Sequence, residues 1–449
     1  MAAGYGGGAT EGALRPKIQR FVSRPDLQPP PIKIDVSARG AAPGDVFIAP
    51  KKAVRQEGPL ILDGRGRVIW FRPSRLGVAD FRVQRYRGRP VLTWWQGHSK
   101  FGRGRGNYVI LNSAYRRIAL VRAGNGLAGD EHEFTITPRE TALITFYDQQ
   151  GDVIDSGFQE IDIATDHVRF EWHALGHIAL SESYAERQGK APFDYFHINS
   201  VALGRDGDFL ISARNAHAVY DIDGRTGAVT WRLGGKRSDF EMGRGTTFAW
   251  QHDARWRGST TISVFDDGAR PAVEKQSRAL ILRVDLRQRK VTLIHAYTHP
   301  KHLLSTSQGN MQVLPGGHVF VGWGSEPSFT EFARNGRVVL DGHFVKGADS
   351  YRAYKFGWHG QPTGPPAVAV RRAGGGRVMV YASWNGATNV LRWQVLTGAT
   401  SAGLKPVATA ERTGFETVIE LRTKAKFFAV QALSASGTLR PPSRAVSAP

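Results

Sequence analysis

Four segments of the chain share a pattern in which a polar side chain opens an apolar, strand-like run. Histidine takes this place at positions 132, 197 and 252, and asparagine takes it at position 310. The intervals between these positions are 65, 55 and 58 residues. Near-regular intervals of this length are typical of repeated sheets arranged around an axis, where equivalent positions converge. The pattern therefore predicts that residues far apart in sequence line one central pocket.

Paired apolar runs joined by tight turns recur between these segments. The clearest pair covers residues 219–231 and turns at Asp223-Gly224, a typical hairpin signal. A second kind of hairpin, seen at residues 198–212, precedes it. The order of the two kinds predicts a repeated four-stranded sheet in which an inner hairpin is followed by an outer one.

The repeats predict an all-β fold, a six-bladed β-propeller over residues 37–358. Five inner strands are expected near Phe81, His132, His197, His252 and Asn310. A hairpin at residues 46–71 lacks a partner, and residues 351–356 are expected to pair with it and form the sixth blade. A five-bladed ring is the alternative. Residues 1–36 are predicted to be disordered or extended, because they begin rich in glycine and alanine and end in prolines.

The composition and the strand pattern of the chain change after Trp358. Residues 359–366 are rich in glycine and proline and are interpreted as a linker. Residues 367–446 contain short strands separated by turn clusters, with Trp384 and Trp393 as expected core aromatics. We predict a small immunoglobulin-like or fibronectin type III-like β-sandwich for this segment.

Charge and composition limit the classes of partner. The net charge is +21, from 60 lysines and arginines against 39 acidic residues. Such an excess attracts anions, although a general bias towards arginine explains most of it. We assign no nucleic-acid partner. No cysteine is present, which excludes disulfides and thiolate metal sites. No apolar run is long enough for a membrane span, and residues 1–20 show no signal peptide.

The histidines at 132, 197 and 252 are the candidate catalytic residues, together with Arg214. This arginine follows His197 by 17 residues and is expected on the neighbouring inner strand. A buried guanidinium beside imidazoles suits a tetrahedral oxyanion and repels a divalent cation, so no metal ion or cofactor is predicted. The alternatives are that each histidine only bonds nearby backbone and that Arg214 pairs with a carboxylate. The substrate-binding candidates are Asn199, Gln251, Asn310 and Trp250.

Several other motifs carry weaker signals. The Gly-Arg run at residues 102–106 and the Gly-Gly-Lys-Arg-Ser run at 234–238 lack the spacing of nucleotide-binding loops. Asp266-Asp267-Gly268 is interpreted as a turn rather than a calcium loop. His295, His299 and His302 are expected in a solvated loop.

At these residues the chain resembles the bacterial arylsulfotransferase family, in its shorter, actinobacterial or fungal-like branch. The similarity rests on residues 196–201, on Ser212-Ala213-Arg214 and on Gln251-His252-Asp253, and it spans about residues 46–356. The resemblance implies a six-bladed propeller that moves a sulfuryl group from a phenolic sulfate ester to a phenol. It further implies a sulfohistidine intermediate, no nucleotide (PAPS) donor and an exported protein.

The same resemblance assigns roles residue by residue. His252 matches the nucleophile, His197 and Arg214 match the residues that hold the sulfuryl oxygens, and His132 resembles the remaining pocket histidine. Asn215 stands where related enzymes have histidine. Two other functions stay open: a non-catalytic protein that binds an anionic glycan or a protein, and a hydrolase or lyase that uses the same pocket.

Overall fold

The computed structural model describes residues 18–36, 39–204 and 206–448, and its regular structure is almost entirely β-strand. The predicted disordered or extended segment covers residues 1–36, and its part over residues 1–17 lies outside the described residues. The described residues include two 3₁₀ turns, at Leu180–Glu182 and Pro315–Gly317. No helix in the described part of the chain is long and apolar enough to cross a membrane.

The first half of the chain forms strands in a meandering order. The strands before residue 75 are β1 (Lys33–Val36), β2 (Asp45–Ile48), β3 (Lys51–Lys52), β4 (Leu60–Leu62) and β5 (Val68–Phe71). Those of the next group are β6 (Gly77–Tyr86), β7 (Arg89–Lys100), β8 (Arg103–Leu111) and β9 (Arg117–Val121). They are followed by β10 (Gly129–Ile136), β11 (Thr141–Gln150), β12 (Val153–Asp162), β13 (Val168–His173) and β14 (Phe193–Asp194).

The second half continues in the same manner. Its first strands are β15 (Ile198–Leu203), β16 (Phe209–Ala213), β17 (Ala218–Ile222) and β18 (Val229–Gly234). Next come β19 (Glu241–Met242), β20 (His252–Trp256), β21 (Thr261–Asp266), β22 (Arg278–Asp285) and β23 (Lys290–Tyr297). They are followed by β24 (Asn310–Val313), β25 (Val319–Gly322), β26 (Ser328–Phe332), β27 (Val338–His343), β28 (Ala348–Asp349) and β29 (Ala353–Phe356).

The strands after residue 366 form two small antiparallel sheets. They are β30 (Ala367–Ala373), β31 (Arg377–Ser383), β32 (Arg392–Gly398), β33 (Lys405–Glu411), β34 (Glu416–Arg422), β35 (Phe427–Ser434), β36 (Gly437–Thr438) and β37 (Val446–Ser447). One sheet has the order β30-β31-β34, and the other has β33-β32-β35 with β36 and β37 also paired to β35. Trp384 and Trp393 lie in one shared core, as the sequence predicts.

Antiparallel four-stranded groups account for the larger part of the chain. β15 to β18 pair in sequence order, and so do β20 to β23 and β24 to β27. β29 pairs with β2 and completes the sheet of β2, β4 and β5, with Val46 opposite Lys355. The predicted pairing of residues 351–356 with the hairpin at residues 46–71 is therefore present. One strand of each group contacts a strand of the next group, and we call these the first strands. Their contacts follow the cyclic order β6, β10, β15, β20, β24, β29 and back to β6.

The sequence predicts inner strands of two separate blades near Phe81 and His132, but the structure joins the sheets that contain these strands. β8 meets β10 where Gly106 lies opposite Gly129. A Cβ atom at Gly106 would lie 2.2 Å from the carbonyl oxygen of Gln96, and one at Gly129 would lie 2.6 Å from the ring of Tyr108. Only glycine permits this close approach. The Gly-Arg run is therefore strand backbone packed against its neighbours rather than a loop.

A buried ionic network connects the first strands beneath the histidines. Arg352, which is buried, donates to Asp80 at 2.9 Å and lies 3.4 Å from Glu133. Arg82 donates to Glu133 at 2.7 Å, and Arg255 contacts the other oxygen of that carboxylate. The network holds three arginines and three carboxylates, which are Arg82, Arg255, Arg352, Asp80, Glu133 and Asp253.

Removing one cation from this network should destabilise the protein strongly. We expect Arg352→Met to lower the free energy of unfolding by about 3–5 kcal/mol, because it leaves buried carboxylate charge without its partner. Lys290→Met removes an exposed cation that lies 3.1 Å from Glu241 and should cost at most about 1 kcal/mol. Urea unfolding followed by circular dichroism measures both. Equal, small losses for the two variants would contradict a central role for the network.

Candidate functional site

The three predicted histidines lie together at the starts of their strands. His132 is in β10, His197 directly precedes β15 and His252 begins β20. The ring centroids of His132 and His197 are 5.0 Å apart, and those of His132 and His252 are 6.5 Å apart. All three side chains are buried. The rings of Tyr147 and Tyr351 pack around them, which the sequence did not indicate.

Irregular backbone at the strand starts directs these side chains. The register shifts between Gly129 and Phe134 in β10, between Ile198 and Ser200 in β15 and between His252 and Arg255 in β20. His197 and Trp250 have positive φ angles, 56° and 57°, which are uncommon for residues other than glycine. Bulges of this kind re-aim side chains next to functional sites.

Each histidine bonds an aspartate through Nδ1. The pairs are His132 with Asp130, His197 with Asp194 at 2.7 Å and His252 with Asp267 at 2.7 Å. A carboxylate on Nδ1 fixes the orientation of the ring and leaves Nε2 for chemistry. Asp267 therefore lies at the functional site, which the interpretation of residues 266–268 as a simple turn missed. Asp130 and Asp194 are near their histidines in sequence, whereas Asp267 gives no such signal.

His252 is held as a neutral imidazole. The backbone N–H of Gln308 points at Nε2 from 3.2 Å, and because an N–H can only donate, we assign the lone pair to Nε2 and the proton to Nδ1. Burial, followed by the positive charge of Arg214 and the other histidines, holds the pKa of His252 well below its usual range. This state is the nucleophilic one.

His132 and His197 differ in their protonation. Burial lowers the pKa of both rings, and for His197 it outweighs the attraction of Asp194. For His132 the charge and hydrogen bond of Asp130 outweigh burial, so its pKa is raised. One imidazole with a raised pKa and one with a lowered pKa thus lie within one cluster, which is the separation expected of an acid and a base.

Arg214 lies beside this cluster at the end of β16. Its backbone N–H donates to the carbonyl oxygen of His197 at 2.9 Å, so the predicted neighbouring strand does carry it there. The guanidinium donates to Asn215 Oδ1 and to the carbonyl of Thr306, and it lies 4.8 Å from the ring of Trp250. Within the described residues no carboxylate forms an ion pair with Arg214. An anion would complete its surroundings.

The amide nitrogens of the predicted substrate-binding residues donate hydrogen bonds within the protein, whereas the side-chain oxygens of Asn199 and Gln251 are buried without a partner among the described residues. The amide nitrogen of Asn199 donates to the carbonyl of Gln251, and that of Gln251 donates to Ser212, Ala213 and Ala218. Asn310 exchanges two hydrogen bonds of 2.9 Å with the backbone of Ala353. These three residues link neighbouring sheets, and a substrate contact for them stays a prediction.

A cavity of about 780 Å³ lies outside the cluster. Asp194, Arg214 and Trp250 line it, so the predicted substrate-binding residue Trp250 lies at the wall of this cavity. Four other large aromatic side chains, Trp94, Trp95, Phe196 and Trp323, lie in the hydrophobic cores. In the part of the chain that the structure describes, no group of three or more histidine, aspartate or glutamate side chains is suited to hold a metal ion.

Solved structures that align with this chain have very different sequences from it. A protein of unknown function from Bacteroides caccae is 10% identical over 70% of this chain and 99% of its own, with a TM-score of 0.45. An inactive virginiamycin B lyase variant from Staphylococcus aureus is 9% identical over 78% and 95%, with a TM-score of 0.36. Scores this low support no inference about chemistry.

The family comparison is more informative. No curated protein matches the chain significantly. The model of one family, described as arylsulfotransferase (ASST), matches residues 82–345 and so includes all three histidines and Arg214. This match covers more than half of the chain, and the chain therefore belongs to the arylsulfotransferase family.

Proposed function

We propose that the protein is an aryl-sulfate sulfotransferase that works through a sulfohistidine and needs no nucleotide donor such as PAPS. Family membership supports a sulfotransferase in general. The observation that supports the finer proposal is the neutral His252, whose Nε2 carries a lone pair beside the unpaired guanidinium of Arg214. The proposed substrates are an aromatic sulfate donor and a phenolic acceptor.

In the first half-reaction, Nε2 of His252 attacks the sulfur of the donor. The N–S bond forms, the bond from sulfur to the phenolic oxygen breaks, and the electron pair leaves with that oxygen. Protonated His132 supplies the proton that neutralises the phenolate. Arg214 has five N–H donors, and those not bonded to Asn215 and Thr306 are available to the sulfuryl oxygens.

In the second half-reaction the acceptor phenol replaces the first product. Its oxygen forms a bond to sulfur, the S–N bond breaks, and the phenol proton returns to His132. His197 supports both steps, because a bound sulfuryl anion favours the charged form of its ring, which then donates from Nε2. Two half-reactions through one covalent enzyme imply ping-pong kinetics.

The architecture that we propose for this function is a ring of six blades over residues 37–358, followed by the linker 359–366 and a sandwich over 367–446. The cyclic contacts of the first strands support the ring. The sheet orders β30-β31-β34 and β33-β32-β35-β37 support a fibronectin type III-like sandwich. The family assignment also favours export as the cellular destination.

We expect His252→Ala to abolish transfer from 4-nitrophenyl sulfate to phenol, because no nucleophile remains. Arg214→Ala should reduce the rate about 10²–10³-fold, the usual loss for one preorganised donor. Absorbance of released 4-nitrophenol measures turnover, and intact-mass spectrometry measures the sulfuryl adduct formed with donor alone. His167→Ala, an exposed histidine outside the cluster, is the matched control.

Three results would count against this assignment. Wild-type turnover in His252→Ala would exclude the sulfohistidine. Equal donor turnover with and without phenol would favour the hydrolase, and the lack of any turnover or adduct in the wild-type protein would favour a binding protein.

The pH profile of kcat/KM for the donor, which reports only the first half-reaction, should be bell-shaped. Neutral His252 is required, and its lowered pKa places the acid limb below 6.5. Protonated His132 is required, and its raised pKa places the alkaline limb above 6.5. Asp130→Asn removes the charge that raises the pKa of His132, so the alkaline limb should move to lower pH. An unmoved alkaline limb would exclude His132 as the acid.

A further inference from the structure

The cavity outside the histidine cluster is larger than one phenol ring requires. Its volume of about 780 Å³ lies within the range of sites that enclose drug-sized ligands. Its walls carry Phe101, Tyr184, Phe193 and Trp250. Phe101 is 80% exposed in the turn of the β7–β8 hairpin, so its ring is accessible to a ligand in this cavity. These walls suit an extended aromatic ligand.

Trp250 connects the reaction centre to the rim of this cavity. One contact of its ring is the guanidinium of Arg214, at 4.8 Å, and its indole N–H donates to the carbonyl of Pro271 at 2.9 Å. Arg270, the neighbour of Pro271, also lines the cavity. A ligand that places its sulfuryl group at Arg214 and extends along this wall therefore approaches Arg270.

The cavity wall carries an excess of positive charge. Three arginines line it, at positions 103, 214 and 270, against Asp194 and Glu186. Asp194 is bonded to His197 and lies 3.6 Å from Arg103. The exposed guanidinium of Arg270 forms no hydrogen bond or ion pair with any residue that the structure describes. Arg270 is thus free to bind an anionic group of a ligand.

We propose that the preferred acceptor is a phenol of more than one ring that carries an anionic group at the end remote from its hydroxyl. Phe101 contacts the outer ring, and Arg270 binds the anion. This inference rests on the proposed function, because the hydroxyl must reach the sulfuryl group on His252. There the O–S bond forms, the S–N bond breaks and the phenol proton passes to His132, as for any acceptor.

Three acceptors separate ring number from charge: phenol, 4′-hydroxybiphenyl-4-carboxamide and 4′-hydroxybiphenyl-4-carboxylate. With 4-nitrophenyl sulfate as donor, kcat/KM should rise from phenol to the carboxamide and again, about three- to tenfold, from the carboxamide to the carboxylate. The second rise should shrink with added salt, because exposed charges are screened.

Two variants then assign each preference to its residue. Arg270→Gln should remove the advantage of the carboxylate over the carboxamide and leave transfer to phenol unchanged. Phe101→Ala should lower kcat/KM for both biphenyls alike, again with phenol unchanged. The matched controls, Lys275→Gln and Ile118→Ala, alter exposed residues that do not line this cavity and should change none of the three values.

The outcomes distinguish failure of this inference from failure of the proposed function. Transfer to phenol without any preference for the carboxylate, or an equal effect of Arg270→Gln on carboxylate and carboxamide, would overturn the inference alone. No transfer to any acceptor, together with no sulfuryl adduct on the wild-type protein, would overturn both.

Discussion

The buried ionic network on Arg352 is the interaction on which the arrangement of the sheets depends. Its carboxylates and guanidinium groups come from β6, β10 and β20 and from the residue before β29. Removal of charged groups from water is expensive, and only mutual pairing and good hydrogen bonding offset the cost. The network therefore fixes these strands relative to one another, and it lies next to the histidines. His132 and Glu133 are adjacent in β10, so one strand serves both layers.

The charges of this network also affect the pKa values of the neighbouring histidines. Burial opposes the charged form of both His132 and His252, and the charge of Arg352 acts in the same direction on both rings, although the net pKa of His132 is raised. The pKa values of the two rings differ because of their immediate neighbours. Asp130 forms a hydrogen bond with His132, whereas His252 lies near the charge of Arg214 and accepts the N–H of Gln308. A site with three similar histidines thus obtains different protonation states from the surroundings of each ring, not from differences in residue type.

The regular intervals between histidines were enough to predict that these side chains meet, because position within a repeat is a property of the sequence. Arg214 was likewise predictable, since hairpin pairing places it beside His197. The partnership of Asp267 with His252 was not, because it depends on how the turn after β21 folds back. The junction of β8 and β10 depends on glycines whose role is visible only once two backbones are close. β33 carries little strand signal in the sequence, because it is an exposed strand at a sheet edge with little apolar alternation.

The pairing of β29 with β2 has a consequence for the order of events during synthesis. Asp45–Ile48 leaves the ribosome early, yet its neighbour Ala353–Phe356 and the central Arg352 follow some three hundred residues later. All three histidines are already translated by then. A nascent chain therefore contains all three histidines before β29 exists to pair with β2, and the contacts between the early and the late strand form only after the late segment has been made.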